Sequence, residues 1–580
     1  WNNNGELGDG TNTQRNTPIN VKAVDTNSQL NVLSNYFAPS ARTVPANRIT
    51  YTSARLNALV NANGSGALVS FEYGLTNAYG SSISVPGVLL GESDSFRSAN
   101  ITGLIPHKTY HYRVRAINAG DTAYGKNMTF ITGGTSSSYS NSNYSFILVD
   151  STGIVYTNGA NAYGQLGDGS TLSKLIPTRV LKGAYAGTKY LGDNPSSPII
   201  AVAAGQDFHL ALAADGTIYA FGRNTYGALG DGTLIDKSLP IRVLKGDYPG
   251  ASFLGDNPLN PIIAIAGGIY HSMALTADGN VYTFGNNTYG QLGDNSFTNR
   301  NLPVLVKKGV YGGSSALGDN PINPIISISA GAYHCAALAA NGTLFGFGLN
   351  TNGQLGDSTN VNKIIPTQTV KGQYNGSAYL GDSSSNPIVK ISAGGYHLQA
   401  LAMNGTIFTF GANSNGQLGD STVVDKWSPV LVKKGAYAGN NFLGDNISNP
   451  IVSLASGVTY SMTLSSDGTI YTFGNNLYNQ LADGTGINKS VPVRSLKGAY
   501  TGATYLGDSA NNPIVSISAG AYTPSVISAD GFVYNWGYNA FGQVGDNSFI
   551  NRASPIKVLG VGLFGNINVL GKSLAPIVYS

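Results

Sequence analysis

From about residue 136 onward, short apolar runs alternate with clusters of Gly, Asn and Asp. Around Pro324, residues Ile325, Ile326 and Ile328 make a short strand that ends near Gly331. His334 to Leu338 forms a second run of small apolar side chains, stopped by Asn341-Gly342. An Asn-Gly pair between such runs predicts a tight hairpin with positive φ at both central positions. Leu344, Phe345 and Phe347 make the return strand, and Ile364-Ile365-Pro366 leads into a fourth whose proline suits a sheet edge. Nothing in the unit keeps a helical period.

The pattern repeats. Gly-Gln-Leu-Gly-Asp or a close variant ends at Asp168, Asp231, Asp294, Asp357, Asp420, Asp483 and Asp546, always 63 residues apart. Leu-Gly-Asp keeps the same interval with Asp193, Asp256, Asp319, Asp382, Asp445 and Asp508. So does Lys-Gly-x-Tyr, which places Tyr185, Tyr248, Tyr311, Tyr374, Tyr437 and Tyr500 at one repeat position. Four strands per unit cannot bury their own faces, so the units form either a ring or an open solenoid with polar caps. Seven copies with small residues on the second strand favour the ring: a seven-bladed β-propeller over residues 136–580. The first unit reads Ser138-Tyr139-Ser140 where a first strand belongs, a poor strand, while Pro576 to Ser580 is a first strand with nothing after it. The C-terminal strand is therefore expected to complete the first blade. Residues 1–36 match the back half of another unit through Gly5-Glu6-Leu7-Gly8-Asp9 and Pro18-Ile19. The start at Trp1 reads as a processed or truncated end.

Residues 37–135 carry no repeat marker. Leu56–Val60, Val69–Tyr73 and Tyr110–Ala116 alternate with period two, as half-buried strands do. The fold class is all-β, a propeller joined to a small immunoglobulin-like β-sandwich.

Two resemblances follow. Ala330-Gly331-Ala332-Tyr333-His334-Cys335-Ala336-Ala337-Leu338, then Asn341-Gly342, Phe347-Gly348-Leu349-Asn350 and Gly353-Gln354-Leu355-Gly356, resemble repeats of the regulator of chromosome condensation family. That resemblance implies the propeller and leaves function open, because the fold hosts exchange factors, ligase components and an inhibitor. The run Leu104 to Tyr110 followed by Tyr112 and Val114 resembles the fibronectin type III fold, which implies that the Tyr110 hydroxyl ties its loop to the backbone.

Composition narrows the chemistry. Glycine is 76 of 580 residues, charged residues are 11%, and the net charge of +4 has no run of either sign. A nucleic-acid surface needs a concentrated basic stripe, and none is present. No apolar stretch is long enough for a membrane-spanning helix, so membrane insertion is not expected. The single cysteine, Cys335, lies among small apolar residues and reads as a structural thiol. His271, His334 and His397 share one repeat position in different units, which separates them too far to share a metal. The Asp168 column reads as structural turn caps, with calcium as a weaker alternative, since each loop offers one acid where calcium wants six to eight oxygens. Gly571-Lys572-Ser573 lacks the first glycine of a phosphate loop, Asn566 standing in its place. No catalytic, cofactor or metal residue is assigned, and the chain is read as no enzyme. A propeller hydrolase would need ionisable groups clustered near the axis.

The functional expectation is an extracellular, secreted or cell-surface bacterial module for adhesion. The Tyr185 column would form a binding rim for surface proteins or glycans, or would anchor the added loop. Copies of the chain would join into filaments through residues 1–36. The alternative is a regulatory or inhibitory propeller that binds one globular partner, which should break the repeat symmetry on one face.

Overall fold

A computed structural model describes residues 38–47, 53–105, 109–131, 139–141, 144–320, 323–383, 385–563 and 565–569. Residues 1–36, the strand expected at 576–580 and the segment Gly571-Lys572-Ser573 lie outside the described residues. The chain divides into two compact units, one that includes Arg55–Ile101 and Tyr110–Phe130, the other the chain from Ile131 onward.

The smaller unit has two sheets. Ser40–Asn47, Ser53–Asn61 and Ser95–Thr102 form one. Leu68–Gly74 pairs with Ser81–Ser84 and with Thr109–Ile117, which also pairs with Thr122–Tyr124 and Met128–Ile131. Alternation decides what is buried: Val69 and Phe71 lie opposite Ala116 and Val114, and all four are buried. Tyr110 is buried and stacks on Phe130 at 5.6 Å between ring centroids. Residues 106–108, the loop its hydroxyl was expected to tie, lie outside the described residues.

The larger unit is a succession of four-stranded antiparallel sheets, each in plain sequence order. One is made of Ile325–Ala330, His334–Ala339, Leu344–Gly348 and Lys363–Gln368. Its second and third strands are buried throughout, while the first and fourth are partly open. The neighbouring sheets supply that burial. Ala336, Leu338 and Leu344 pack with Leu398, Ala400 and Phe408 of the next sheet in one apolar cluster. Phe146, Leu148 and Tyr156 of the first sheet share a cluster with Ile527, Val533 and Val558 of the last.

Two details differ from the sequence reading. The first sheet has its own first strand, Tyr139–Asn141, which pairs with Ser145–Val149. Backbone pairing there needs no apolar side chain, so the weak Tyr-Ser-Asn sequence suffices. The hairpin turn at Asn341-Gly342 is also of another kind. Only Gly342 has positive φ, at 92°, and Gly342 N–H donates to Ala339 O at 2.9 Å. Asn341 instead uses its Oδ1 to accept from Thr343 N at 3.0 Å, so the loop is the longer turn closed by a left-handed glycine.

Main-chain hydrogen bonds link successive sheets at one end. Gln206 N–H donates to Ile269 O at 3.2 Å, Ile269 N–H to Ala332 O at 3.2 Å, and Ala332 N–H to Gly395 O at 3.1 Å. Gly395 N–H donates to Gly457 O at 3.1 Å and Val458 N–H to Ala521 O at 3.3 Å. The glycine beside each link has no room for a side chain. A Cβ on Gly331 would sit 2.1 Å from His334 Cε1 and 2.6 Å from Gly394 O. Gly331→Ala is therefore expected to cost about 1–3 kcal/mol in urea unfolding. Gly312→Ala, whose Cβ meets only Asn320 Nδ2 at 4.0 Å, is expected to be close to neutral. Equal stability of the two variants would refute the steric argument.

Candidate binding face

An up-and-down sheet sends its first–second turn and its third–fourth loop to one end, and its hairpin and exit loop to the other. The two ends of this unit are built differently.

The exit end carries the Lys-Gly-x-Tyr segments. Of the two readings of the tyrosine column, burial favours the loop anchor over the rim: Tyr185, Tyr248, Tyr311, Tyr374, Tyr437 and Tyr500 are each no more than 3% exposed. Tyr185 donates to Ser197 O at 2.7 Å, Tyr248 to Asn260 O at 2.7 Å, Tyr374 to Asn386 O at 2.7 Å and Tyr437 to Asn449 O at 2.6 Å. Tyr311 and Tyr500 donate to Asn323 O and Asn512 O. Each ring also meets an aromatic ring of the following sheet edge-on, as Tyr185 does Tyr219 at 5.3 Å. Burial pushes the Tyr185 phenol up to about 12. These rings anchor the loop. Asp193 closes the same segment by accepting from Thr188, Lys189 and Tyr190 N–H at 2.9, 2.7 and 2.8 Å. Burial raises its carboxyl, but the Thr188 hydroxyl and these amides outweigh it and hold it at about 2.

At the opposite end, each third–fourth loop is pinned by a buried asparagine. Asn350 Nδ2 donates to Asp357 Oδ1 at 2.9 Å, to Thr359 O at 3.0 Å and to Val361 O at 3.2 Å, and its Oδ1 accepts from Leu355 N at 2.9 Å. Asn161, Asn224, Asn287, Asn413, Asn476 and Asn539 occupy the same place, all fully buried. The aspartates Asp168, Asp231, Asp294, Asp357, Asp420, Asp483 and Asp546 accept these bonds with one oxygen. The other oxygen meets a cation: Lys174 at 3.5 Å, Lys237 at 3.2 Å, Arg300 at 2.8 Å, Lys363 at 3.1 Å, Lys426 at 3.3 Å, Lys489 at 3.3 Å and Arg552 at 2.5 Å. Burial pushes the Asp357 carboxyl up, but bonds from Thr359, Asn350 and Lys363 more than offset it. The calcium alternative has no free carboxylate in this column.

The histidines sit deeper. His271 Nε2 lies 3.1 Å from Cys335 Sγ on the next sheet, and the thiol donates to Gln291 O at 3.2 Å. His397 Nε2 lies 3.0 Å from Ser461 Oγ, which donates to Gln417 O at 2.8 Å. Cys335 and Ser461 thus do the same job, bolting one sheet to the loop of its neighbour. Leu398 holds that position opposite His334, whose ring nitrogens have no hydrogen-bond partner among the described residues. Burial pushes the Cys335 thiol well above its usual range, which favours the neutral thiol over a nucleophilic thiolate.

What sequence reasoning missed is a second tyrosine set at this same end. Tyr144, Tyr270, Tyr333, Tyr396 and Tyr522 share one 63-residue column, and Tyr163, Tyr226, Tyr289, Tyr478 and Phe541 another. All are half-buried. They meet across the sheets: Tyr226–Tyr270 at 4.9 Å, Tyr289–Tyr333 at 5.2 Å, Tyr478–Tyr522 at 5.3 Å and Tyr144–Phe541 at 5.0 Å. In the first column Tyr270, Tyr333, Tyr396 and Tyr522 each follow directly in sequence on a residue that lines a central cavity of about 340 Å³, whose walls are first strands and turns that include Ser140, Gly205, Ile269, Ala332, Gly395 and Ala521. Among the described residues, none that lines it is ionisable.

The belt is not uniform. Asp207 replaces tyrosine in the first column, and Arg223 reaches it at 3.3 Å. The guanidinium lies over Tyr163 at 4.6 Å and Tyr270 at 5.2 Å. Burial raises the Asp207 carboxyl despite Arg223. Tyr538 adds a fourth ring beside Tyr478, Tyr522 and Phe541. On the other side Asn352, Asn415 and Thr459 replace aromatics. The signal was in the sequence: the residue before each His334-type position, tabulated at the repeat interval, gives the first column and its two exceptions.

These sheets and their shared cavity define a β-propeller. Residues 188–436 match the RCC1-like domain, and residues 152–212 and 467–523 match the regulator of chromosome condensation (RCC1) repeat. The chain carries an RCC1-like β-propeller domain. The ultraviolet-B receptor UVR8 of Arabidopsis thaliana is 28% identical over 54% of this chain and 61% of its own length. The human probable E3 ubiquitin-protein ligase HERC4 is 31% identical over 42% of this chain and 20% of its own. The chain spans less than two thirds of either relative. Prp20p from Saccharomyces cerevisiae, described with its binding to Gsp1p and histones, aligns with a TM-score of 0.53 at 19% identity, over 74% of this chain and 88% of that one. The same yeast RCC1 has been solved bound to Kap60.

These relatives overturn the extracellular reading. A light receptor, ubiquitin ligases and a protein that engages Kap60, Gsp1p and histones stand where a secreted or bacterial cell-surface adhesion module was expected. Filament assembly, and partners that are surface proteins, glycans or copies of the chain, fall with it.

One pH test follows from the geometry. His209, His271 and His397 are held at about 3 and His334 at about 4 by burial. They stay neutral when folded and take protons near pH 6.5 when unfolded, so the stability they hold is full above that pH and is lost as pH falls. His334→Phe, with Phe208 already at the equivalent place, should flatten the slope of unfolding free energy between pH 6 and 4.5. The change expected is about one proton, roughly 1.4 kcal/mol per pH unit. Urea titrations across that range measure it, and an unchanged slope contradicts the assignment.

Proposed function

We propose that this chain is a non-enzymatic regulatory or adaptor module that binds one globular protein partner through its tyrosine-bearing end. The observation that carries the reading is the broken symmetry of the belt. A frame that repeats at 63 residues holds a single Arg223–Asp207 pair between two tyrosines, and one cluster of four aromatic rings. Tyrosine and arginine in half-desolvated settings are the side chains that dominate binding energy at protein interfaces. The residues that line the cavity beside them are small apolar, serine and glutamine side chains with no carboxylate or imidazole among them, which fits a binding role.

We read the larger unit as a closed seven-bladed ring over residues 136–580. Seven four-stranded sheets and the apolar cluster shared by the first and last support this. Asn158 Nδ2 also donates to Gly542 O at 2.8 Å. We read residues 37–135 as a fibronectin type III-like sandwich, supported by its three-stranded and five-stranded sheets, and residues 1–36 as a partial repeat. The aspartates of the Asp168 column are structural turn residues in this reading.

The partner is to be isolated by affinity capture, identified by mass spectrometry and titrated as a purified protein. Leu477→Glu, at a position 69% exposed beside Tyr478, should weaken that titration by roughly thirtyfold, the scale of an interface hot spot. Tyr311→Phe, at the opposite end, should leave it unchanged. Equal affinities for the two variants would place the interface elsewhere.

A further inference from the structure

Outside the tyrosine belt, the third–fourth loops raise a second set of side chains into solvent. Leu172, Ile235, Val361, Val424, Ile487 and Ile550 share one column of the 63-residue repeat, with Thr298 at the remaining place. They are 58–69% exposed. In the adjacent column Leu234, Phe297, Val423 and Phe549 are 57–62% exposed. Apolar side chains exposed singly need no explanation, but a column of them, kept at one position of a repeat, does.

The loops are built to hold this crown still. In five of the six loops the buried asparagine donates to the carbonyl of the crown residue itself: to Leu172 at 3.2 Å, Val361 at 3.2 Å, Val424 at 3.2 Å, Ile487 at 3.3 Å and Ile550 at 3.1 Å. A surface fixed before binding loses little entropy when it docks.

Charge selects the occupant. In the turns and loops at this end Arg223 is the only cation, and it is paired with Asp207. The lysine or arginine that opens each fourth strand is paired with its own aspartate. Asp236 and Asp425 are carboxylates beyond these pairs, each capping a backbone amide. Among the described residues of these turns and loops no cation is left over for phosphates, so neither a nucleic acid nor an anionic bilayer suits this surface. We propose that the crown is the outer contact ring for the partner that the tyrosine belt binds, a protein domain broad enough to cover both, with an apolar and neutral-to-basic surface. This rests on the reading above that the belt is a protein-binding site. A peptide would fill one sector, whereas this column recurs in sheets across the whole unit.

A photoreactive benzoylphenylalanine in place of Phe297, Phe549, Tyr333 or Ile447 tests this, with irradiation in extracts of the cells that make the protein and mass spectrometry of each adduct. Phe297 and Phe549 lie in the third–fourth loops of the third and seventh sheets; Ile447 is 91% exposed in an exit loop at the other end. The expected result is one protein captured from Phe297, Phe549 and Tyr333 alike and not from Ile447. In titrations of that protein, Phe297→Ser with Phe549→Ser should weaken binding about tenfold. Capture at Tyr333 with silence at both crown sites overturns the crown and leaves the belt reading standing. Silence at all three overturns both. Different proteins at the two crown sites, lipid adducts, a second copy of this chain, or equal capture at Ile447 also overturn it.

Discussion

The larger unit depends on one constraint: no sheet in it can satisfy itself. The second and third strands of a sheet are buried on both faces, as Leu338 and Phe345 are in the fourth sheet, and neither face meets solvent. Each face is covered only by the next sheet, so burial, the main driving force of folding, becomes a property of neighbouring pairs. The backbone chain from Gln206 to Ala521 fixes how those pairs meet. It admits no side chain at Gly205, Gly268, Gly331, Gly394 or Gly457, where an added Cβ would strike the aromatic or imidazole ring three residues on. The glycines, the rings and the main-chain links form one arrangement, repeated.

A rigid repeating frame makes departures from the repeat informative. Where the frame needs a residue, all units carry it, as with the asparagine at Asn350 and its equivalents. Where it does not, the column drifts. The belt column reads tyrosine five times, then aspartate at 207 and threonine at 459. Packing does not force the aspartate, because burial raises its carboxyl and Arg223 must be supplied to meet it. A buried pair of this kind is weak evidence for stability, and its place directly after Gln206, which lines the cavity, fits recognition better.

Much of this was legible in the sequence and some was not. The 63-residue interval gave four strands per unit, because each strand is bounded by Gly, Asn or Asp. The hairpin at Asn341-Gly342 was located correctly, but its turn type was not, since Asn341 uses its side chain to cap Thr343 instead of entering the left-handed region. Tyr185 and Tyr270 are both tyrosines repeated at 63 residues, and sequence alone left the Tyr185 column open between a rim and a loop anchor. What separates them is the direction of the hydroxyl. Tyr185 finds Ser197 O within its own loop, while the ring of Tyr270 stays at the surface against Tyr226 and Arg223. Periodicity reports that a position is fixed, not which way its side chain turns.

The same distinction bears on the cysteine–histidine contact between neighbouring sheets. Cys335 Sγ and His271 Nε2 are 3.1 Å apart, a separation that elsewhere activates a nucleophile. Activation needs the ion pair to be the favoured state. Here burial drives both groups the other way, raising the thiol and lowering the imidazole to about 3, and both residues are 0% exposed. Ser461 makes the same contacts with His397 and Gln417 O in another sheet, so the geometry belongs to the joint between sheets and tolerates either element. A proton shared across that joint contributes a hydrogen bond to the frame. The repeat itself is broken elsewhere, at the Arg223–Asp207 pair between Tyr163 and Tyr270.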